Sequence, residues 1–252
     1  MNRYVALGSS MAAGPGIRPR AAGAPRGSGR SRRNYPHLVA AAADLDLVDV
    51  TFSGATTAQL LGERQRGAPP QLDALDGSEA LVTVTIGGND VGYVPLLMAA
   101  TLPAAARRLP AVAALLDPGQ CEQALGQIEA SLIAVGAGVR ERAPRARVLF
   151  VDYLTLMPPA GIRAGRLPGH VVDLARYVAD RLERHTAAAA AATGCGLVRA
   201  GQASREHHPW SARPWTVGAG LPLPWRPWPF HPNAAGMAAV AEMVVTQLGG
   251  RA

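Results

Sequence analysis

The chain has no lysine: its 25 basic residues are all arginine, set against 18 acidic ones for a formal net charge of +7 over 252 residues. Such an excess ordinarily points to nucleic acid or an anionic membrane surface. Here it accompanies abundant Ala, Gly and Pro, the bias of a GC-rich genome, so the charge alone assigns no polyanionic partner and no nucleic acid is expected. Arg18, Arg20, Arg26, Arg30, Arg32 and Arg33 crowd a Gly/Pro/Ser-rich stretch without a single acid, which reads as a solvated loop. Cysteine is nearly absent. Cys121 and Cys195 lack metal-ligand spacing, and neither a metal nor an organic cofactor is expected. Long apolar runs are missing too. The nearest approach to a membrane span, residues 94–116, is broken by Pro103, Pro110, Arg107 and Arg108, so it reads as helical cover over a pocket, without stable membrane insertion. No charged segment followed by an apolar one precedes the first apolar run. The expected location is cytoplasmic with both thiols reduced; if a leader precedes the natural chain, it is secreted and the two cysteines become candidates for a bridge.

What is present is a rhythm. Five short β-rich runs, Tyr4–Leu7, Leu47–Phe52, Leu81–Ile86, Arg147–Asp152 and Gly196–Ala200, alternate with helical stretches. Their near-continuous apolar character predicts a parallel sheet buried on both faces, an α/β arrangement in a single domain. Helices are predicted from Pro36, from Cys121 to Arg142 where Pro144 stops it, from Val171 to Gly194, and from an N-cap at Asn233 to the end. There is no internal repeat. Residues 207–233 hold all four tryptophans and many prolines and read as an irregular loop.

In parallel α/β sheets, ligands lie beyond the carboxyl ends of the strands. After the first run comes GSS (8–10), after the second SGATT (53–57), after the third GGND (87–90), and before the last helix FHPN (230–233). Together they supply what acyl transfer from an ester needs. A serine hydroxyl becomes a nucleophile when an imidazole takes its proton, and the oxyanion requires fixed N–H donors. Ser10 and His231 are the candidates for the first pair. The backbone N–H groups of Ser10 and Gly54 and the side-chain amide of Asn89 are candidates for the donors.

These four segments, in order and spacing, resemble the sequence blocks of the SGNH, or GDSL, hydrolase family across nearly the whole chain. The resemblance implies a flavodoxin-like three-layer α/β/α sandwich over residues 1–252, with a parallel sheet of roughly five strands. It places Ser10 at the nucleophile, Gly54 and Asn89 at the oxyanion hole and His231 at the base of an esterase or lipase acting on small-molecule or lipid esters. Two positions depart from the family pattern. Ser9 stands where relatives usually carry Asp, and Trp228 stands where they carry the carboxylate that orients the histidine. Some relatives use a backbone carbonyl there, which points to the carbonyl of Trp228, with Glu206 or another carboxylate as the alternative.

Each candidate also has an ordinary structural role. Ser10 suits a turn, Gly54 a bend and Asn89 a cap. Asp90 is expected to stabilise its own turn. His37, His170 and His185 fall in helical contexts as surface or packing residues, and His207 and His208 lie in the Trp/Pro loop, where the expectation is a solvated loop and the alternative a contact with substrate. The tryptophans either wall an acyl pocket or pack their loop.

Three rivals are weaker. Gly8–Gly14 lacks the G-x-G-x-x-G spacing of a dinucleotide turn, and no acid ends the second strand. The α/β-hydrolase elbow needs a glycine where Ala12 stands. A non-catalytic binding module is motivated by the missing carboxylate and opposed by Ser10, Asn89 and His231 occurring together. Acyl transfer to another alcohol is chemically adjacent to hydrolysis, and the sequence leaves it open.

Overall fold

Successive side chains of a strand point to opposite faces, and in Tyr4–Leu7 both faces are apolar, so a strand there needs cover on both sides. The computed structural model describes residues 2–223 and 225–249 and provides that cover. Strands β1 (Arg3–Gly8), β2 (Asp46–Asp49), β3 (Glu79–Thr85), β4 (Arg147–Val151) and β5 (Gly196–Val198) form one parallel sheet in the order β2-β1-β3-β4-β5. The helices, in chain order, begin with α1 (Ser10–Ala13), α2 (Tyr35–Ala43) and α3 (Thr57–Leu61). Then come α4 (Tyr93–Ala100), α5 (Ala104–Arg107), α6 (Pro110–Leu115) and α7 (Pro118–Arg142). The last are α8 (Gly169–Ala192), α9 (Ala200–Ala203) and α10 (Ala234–Gly249).

Val5, Leu7, Val82, Val84, Val148 and Phe150 join Leu132 and Val135 of α7 and Val178 and Leu182 of α8 in one core. Tyr4, Ala6, Leu81, Leu149 and Val151 face the other way, against Val39 of α2 and Met237, Val240 and Val244 of α10. The strand period therefore divides the apolar runs into two cores, and the result is the expected three-layer α/β/α sandwich. Each fully buried aliphatic side chain contributes roughly 1.5–3 kcal/mol by leaving water.

Several boundaries differ from the sequence reading. The second run was expected to reach Phe52, but Asp49 Oδ1 accepts both the N–H and the hydroxyl of Thr51, at 3.0 and 2.6 Å, and bends the chain. The N–H groups of Val50 and Phe52 still donate to the carbonyls of Ala6 and Gly8, so this segment follows β1 towards the site. Helix α7 starts before Cys121 because Asp117 accepts the Gly119 N–H at 2.9 Å and Pro118 suits a first turn. Asn233 Oδ1 accepts the Gly236 N–H at 3.0 Å at the start of α10, as expected of an N-cap. The expected continuation of that helix into residues 250–252 lies outside the described residues.

Residues 94–116 fold as parts of three short helices. Among the described residues, no helix is long and apolar enough to cross a membrane. Cys121 and Cys195 are both free thiols.

Candidate active site

At the carboxyl end of β1 the two serines part company. The Gln71 side chain holds both backbone groups of Gly8, accepting its N–H at 2.7 Å and donating to its carbonyl at 3.0 Å. Ser9 follows, fully buried; its N–H donates to the Thr85 carbonyl and its Oγ lies 2.9 Å from the hydroxyl of Tyr153. Ser10 opens α1 with its Oγ 2.8 Å from His231 Nε2.

The other ring nitrogen fixes the tautomer. His231 Nδ1 lies 2.8 Å from the carbonyl of Pro229, which can only accept, so Nδ1 carries the proton and Nε2 offers its lone pair to the Ser10 hydroxyl. This corrects the expectation for Trp228. The Trp228 carbonyl accepts the backbone N–H of His231, at 3.2 Å, and does not reach the ring. Phe230 is the reason: its φ of 56° is in the left-handed region, which turns the chain so that the carbonyl two residues back meets the imidazole. Glu206, the carboxylate alternative, is exposed on the turn Arg205–His207, and no hydrogen bond joins it to His231. Burial pushes the His231 pKa down to about 4, with the Pro229 carbonyl pulling weakly the other way.

Gly54 has φ +81°, and a Cβ there would have only Gln65 Nε2, at 3.7 Å, as a neighbour. Backbone conformation, and not crowding, therefore calls for glycine at this position. Asn89 Nδ2 donates one hydrogen to the Ala55 carbonyl at 2.8 Å, which leaves its second N–H available. The Ser10 and Gly54 N–H groups have no acceptor among the described residues. Asp90 was expected to stabilise its own turn. Instead its carboxylate takes the N–H and hydroxyl of Thr57, at 2.9 and 2.6 Å, and ties the asparagine segment to the glycine segment. Tyr153 adds a second tie: its hydroxyl accepts the Gly88 N–H at 3.0 Å while meeting Ser9. A Cβ on Gly88 would lie 2.2 Å from the Tyr153 ring.

Ser10, Gly54, Asn89 and His231 line one cavity of about 1040 Å³. Val94, Pro95 and Met98 of α4 form an apolar wall, joined by Trp228. The other tryptophans do different work. Trp215 stacks on His207 with ring centres 4.0 Å apart, Trp210 packs on the core, and Trp225 is exposed. The arginine-rich loop is solvated as its composition suggested, with only Arg30 half-buried among its six arginines, and Arg18, Arg20 and Arg30 also line this cavity.

Residues 6–239 match the GDSL-like lipase/acylhydrolase family. The chain belongs to that family. Lipase 2 of Streptomyces coelicolor is 33% identical over 274 residues, covering 98% of this chain and 85% of the relative. Among solved structures, phospholipase A1 from Streptomyces albidoflavus NA297 superposes with a TM-score of 0.80 at 26% identity, covering 99% of both chains. The extracellular lipase from Streptomyces rimosus gives 0.81 at 25%, covering 99% of this chain and 100% of that one. With this membership the chain is a carboxylic ester hydrolase of the SGNH class.

Sequence reasoning missed Pro229, Tyr153 and the Asp90–Thr57 tie. Only Tyr153 carried a signal, since it follows β4 at the same edge of the sheet as the other segments.

Proposed function

We propose that the protein cleaves carboxylic esters through an acyl-serine formed on Ser10. Ser10 Oγ attacks the ester carbonyl while its proton passes to His231 Nε2. The oxyanion is met by the N–H groups of Ser10 and Gly54 and the remaining amide N–H of Asn89. Collapse returns the proton from His231 to the departing alcohol. A water then gives its proton to His231 as it attacks the acyl-serine, and collapse breaks the bond to Ser10 Oγ, returns that proton to it and releases the acid. His231 works in this scheme without a carboxylate, as one half of a dyad, and the Pro229 carbonyl fixes its tautomer and steadies the transient imidazolium.

The observation that carries this reading is the 2.8 Å contact from Ser10 Oγ to an imidazole whose other nitrogen is already committed to Pro229. Likeness to the Streptomyces lipases supports lipid esters as the substrate class, and the apolar wall of Val94, Pro95 and Met98 suits the acyl chain. The test is labelling with a fluorophosphonate followed by mass spectrometry. The adduct should sit on Ser10 in the tryptic peptide Tyr4–Arg20, in which Pro19 protects Arg18 from cleavage. An unlabelled peptide together with no turnover of p-nitrophenyl esters of any chain length refutes the proposal.

A further inference from the structure

The cavity that holds Ser10 and His231 is lined by four arginines, Arg18, Arg20, Arg30 and Arg66, and by no acidic residue among those described. Arg18, Arg20 and Arg66 are exposed at its rim and Arg30 is half-buried; cations gathered on one cavity with no acid in its lining repel one another, and an anionic ligand relieves that repulsion. The surrounding chain holds the segments that carry them: the Arg32 N–H donates to the Pro19 carbonyl at 2.9 Å and the Ala21 N–H to the Arg30 carbonyl at 3.0 Å, which pairs the Arg18–Arg20 end of the loop with Arg30. The N–H and the hydroxyl of Ser53 both donate to the Ser28 carbonyl, and Arg30 Nε donates to the Thr51 carbonyl at 2.6 Å. Gln65 Nε2 donates to the Ser53 carbonyl at 3.0 Å, which brings the neighbouring Arg66 to the same place. The Arg66 guanidinium packs over Gly27, where an added Cβ would lie 2.7 Å from its Nη1. Two arginine-bearing segments, distant in sequence, are thus stitched to Ser53 beside Gly54.

The four are not equally engaged. Arg30 lies 3.9 Å from Asp49, outside the cavity lining, and Arg20 bonds the carbonyls of Ala24 and Pro25. Arg18 and Arg66 have neither an ion-pair partner nor a hydrogen-bond acceptor among the described residues. Guanidinium groups present planar forks suited to phosphate and carboxylate oxygens.

We infer that these arginines form an oxyanion-binding subsite for the alcohol half of the substrate, so that the preferred ester has an acyl chain on the α4 side and a phosphate or carboxylate on its alcohol. The inference rests on the ester-cleaving role of Ser10 for its orientation, but the anion site stands on the arginine geometry itself.

Two measurements separate the two. Calorimetric titration with hexyl phosphate, which has no carboxylic ester for Ser10 to attack, reads the anion site alone. Binding should weaken about tenfold or more in R18Q/R66Q, lessen with added salt, and stay within about twofold in R26Q/R33Q, whose arginines share the loop but do not line the cavity. Absent binding, or binding unchanged in R18Q/R66Q, overturns the subsite, whereas loss of turnover on every ester with hexyl phosphate still bound overturns only the role of Ser10.

Kinetics then identify the anion. Monomeric dihexanoyl phosphatidylglycerol and the hexanoyl ester of glycolate are compared with neutral dihexanoylglycerol. A higher kcat/KM for both anionic esters, lost through KM in R18Q/R66Q, supports a general oxyanion site. The same result for the phospholipid alone supports a phosphate site. No advantage for either contradicts the inference.

Discussion

The carboxylate of Asp90 accepts both the backbone N–H and the hydroxyl of Thr57, at 2.9 and 2.6 Å, and so fixes the segment bearing Asn89 against the segment bearing Gly54. In the proposed mechanism Asn89 and Gly54 are oxyanion donors from different strand ends, which act together only if their separation is held. Asp90→Ala should therefore lower kcat by roughly 10- to 100-fold with a smaller change in KM, the cost expected of donors misplaced by about an ångström. Asn89→Ala, which removes a donor outright, should cost about 100- to 1000-fold. Steady-state rates on one p-nitrophenyl ester compare the two, and an Asp90→Ala enzyme as active as the parent contradicts the tie.

Ser9 and Ser10 are neighbours with different partners, Tyr153 for the first and His231 for the second. Ser10→Ala should abolish at least about a thousandfold of kcat, the expected consequence of deleting a nucleophile. Ser9→Ala should reduce turnover far less, because the Tyr153 hydroxyl keeps its bond from the Gly88 N–H. Tyr153→Phe strands both Ser9 Oγ and the Gly88 N–H in the interior and should destabilise the fold by about 1–3 kcal/mol in urea denaturation, more than Ser9→Ala. The reverse order of stability contradicts this assignment.

Asp152, at the end of β4, provides a separate test by pH. It is buried, accepts the Gly201 N–H at 2.7 Å through one oxygen, and has no partner for the other among the described residues. Burial, with Glu183 adding to it, pushes its pKa up to about 7 against the opposing pull of the Gly201 N–H. The folded chain therefore retains a proton that the unfolded chain releases near pH 4. Stability from this group is full below about pH 4 and is lost as pH rises towards 7. Asp152→Asn does not titrate, so its melting temperature relative to the parent should climb from pH 4 to pH 7 and then level off. A constant difference across that range contradicts the shifted pKa.

The parts of the site that are legible in the sequence are those whose chemistry needs a particular side chain. Ser10, Asn89 and His231 stand out as reactive groups, and strand ends in a parallel sheet converge on one edge, so their grouping follows from the alternation of strands and helices. Pro229 is invisible by the same logic, because every residue has a carbonyl and only the left-handed turn at Phe230 selects this one. Asp90 reads as stabilising its own turn until Thr57 is placed opposite it. The loop arginines show the limit of composition: Arg18 and Arg33 are indistinguishable by charge, and which of them lines the cavity follows from how the two ends of the loop pair through Pro19 and Arg30. The sheet itself was the easiest element, since runs apolar on both faces have few alternatives to burial between helices.

The central claim is that His231 acts as a base oriented by a carbonyl, with burial and no carboxylate setting its affinity for protons. Its neutral form is the active one, so kcat/KM should fall as pH drops through its pKa in the free enzyme. Because that pKa is lowered to about 4, the pH dependence of kcat/KM on a neutral ester should stay flat from pH 8 down to about 5 and decline only near 4. Measured at constant ionic strength between pH 3.5 and 8, a profile of that shape is the predicted result. A decline centred between about 6 and 7, the range of an unperturbed or carboxylate-supported histidine, would contradict it.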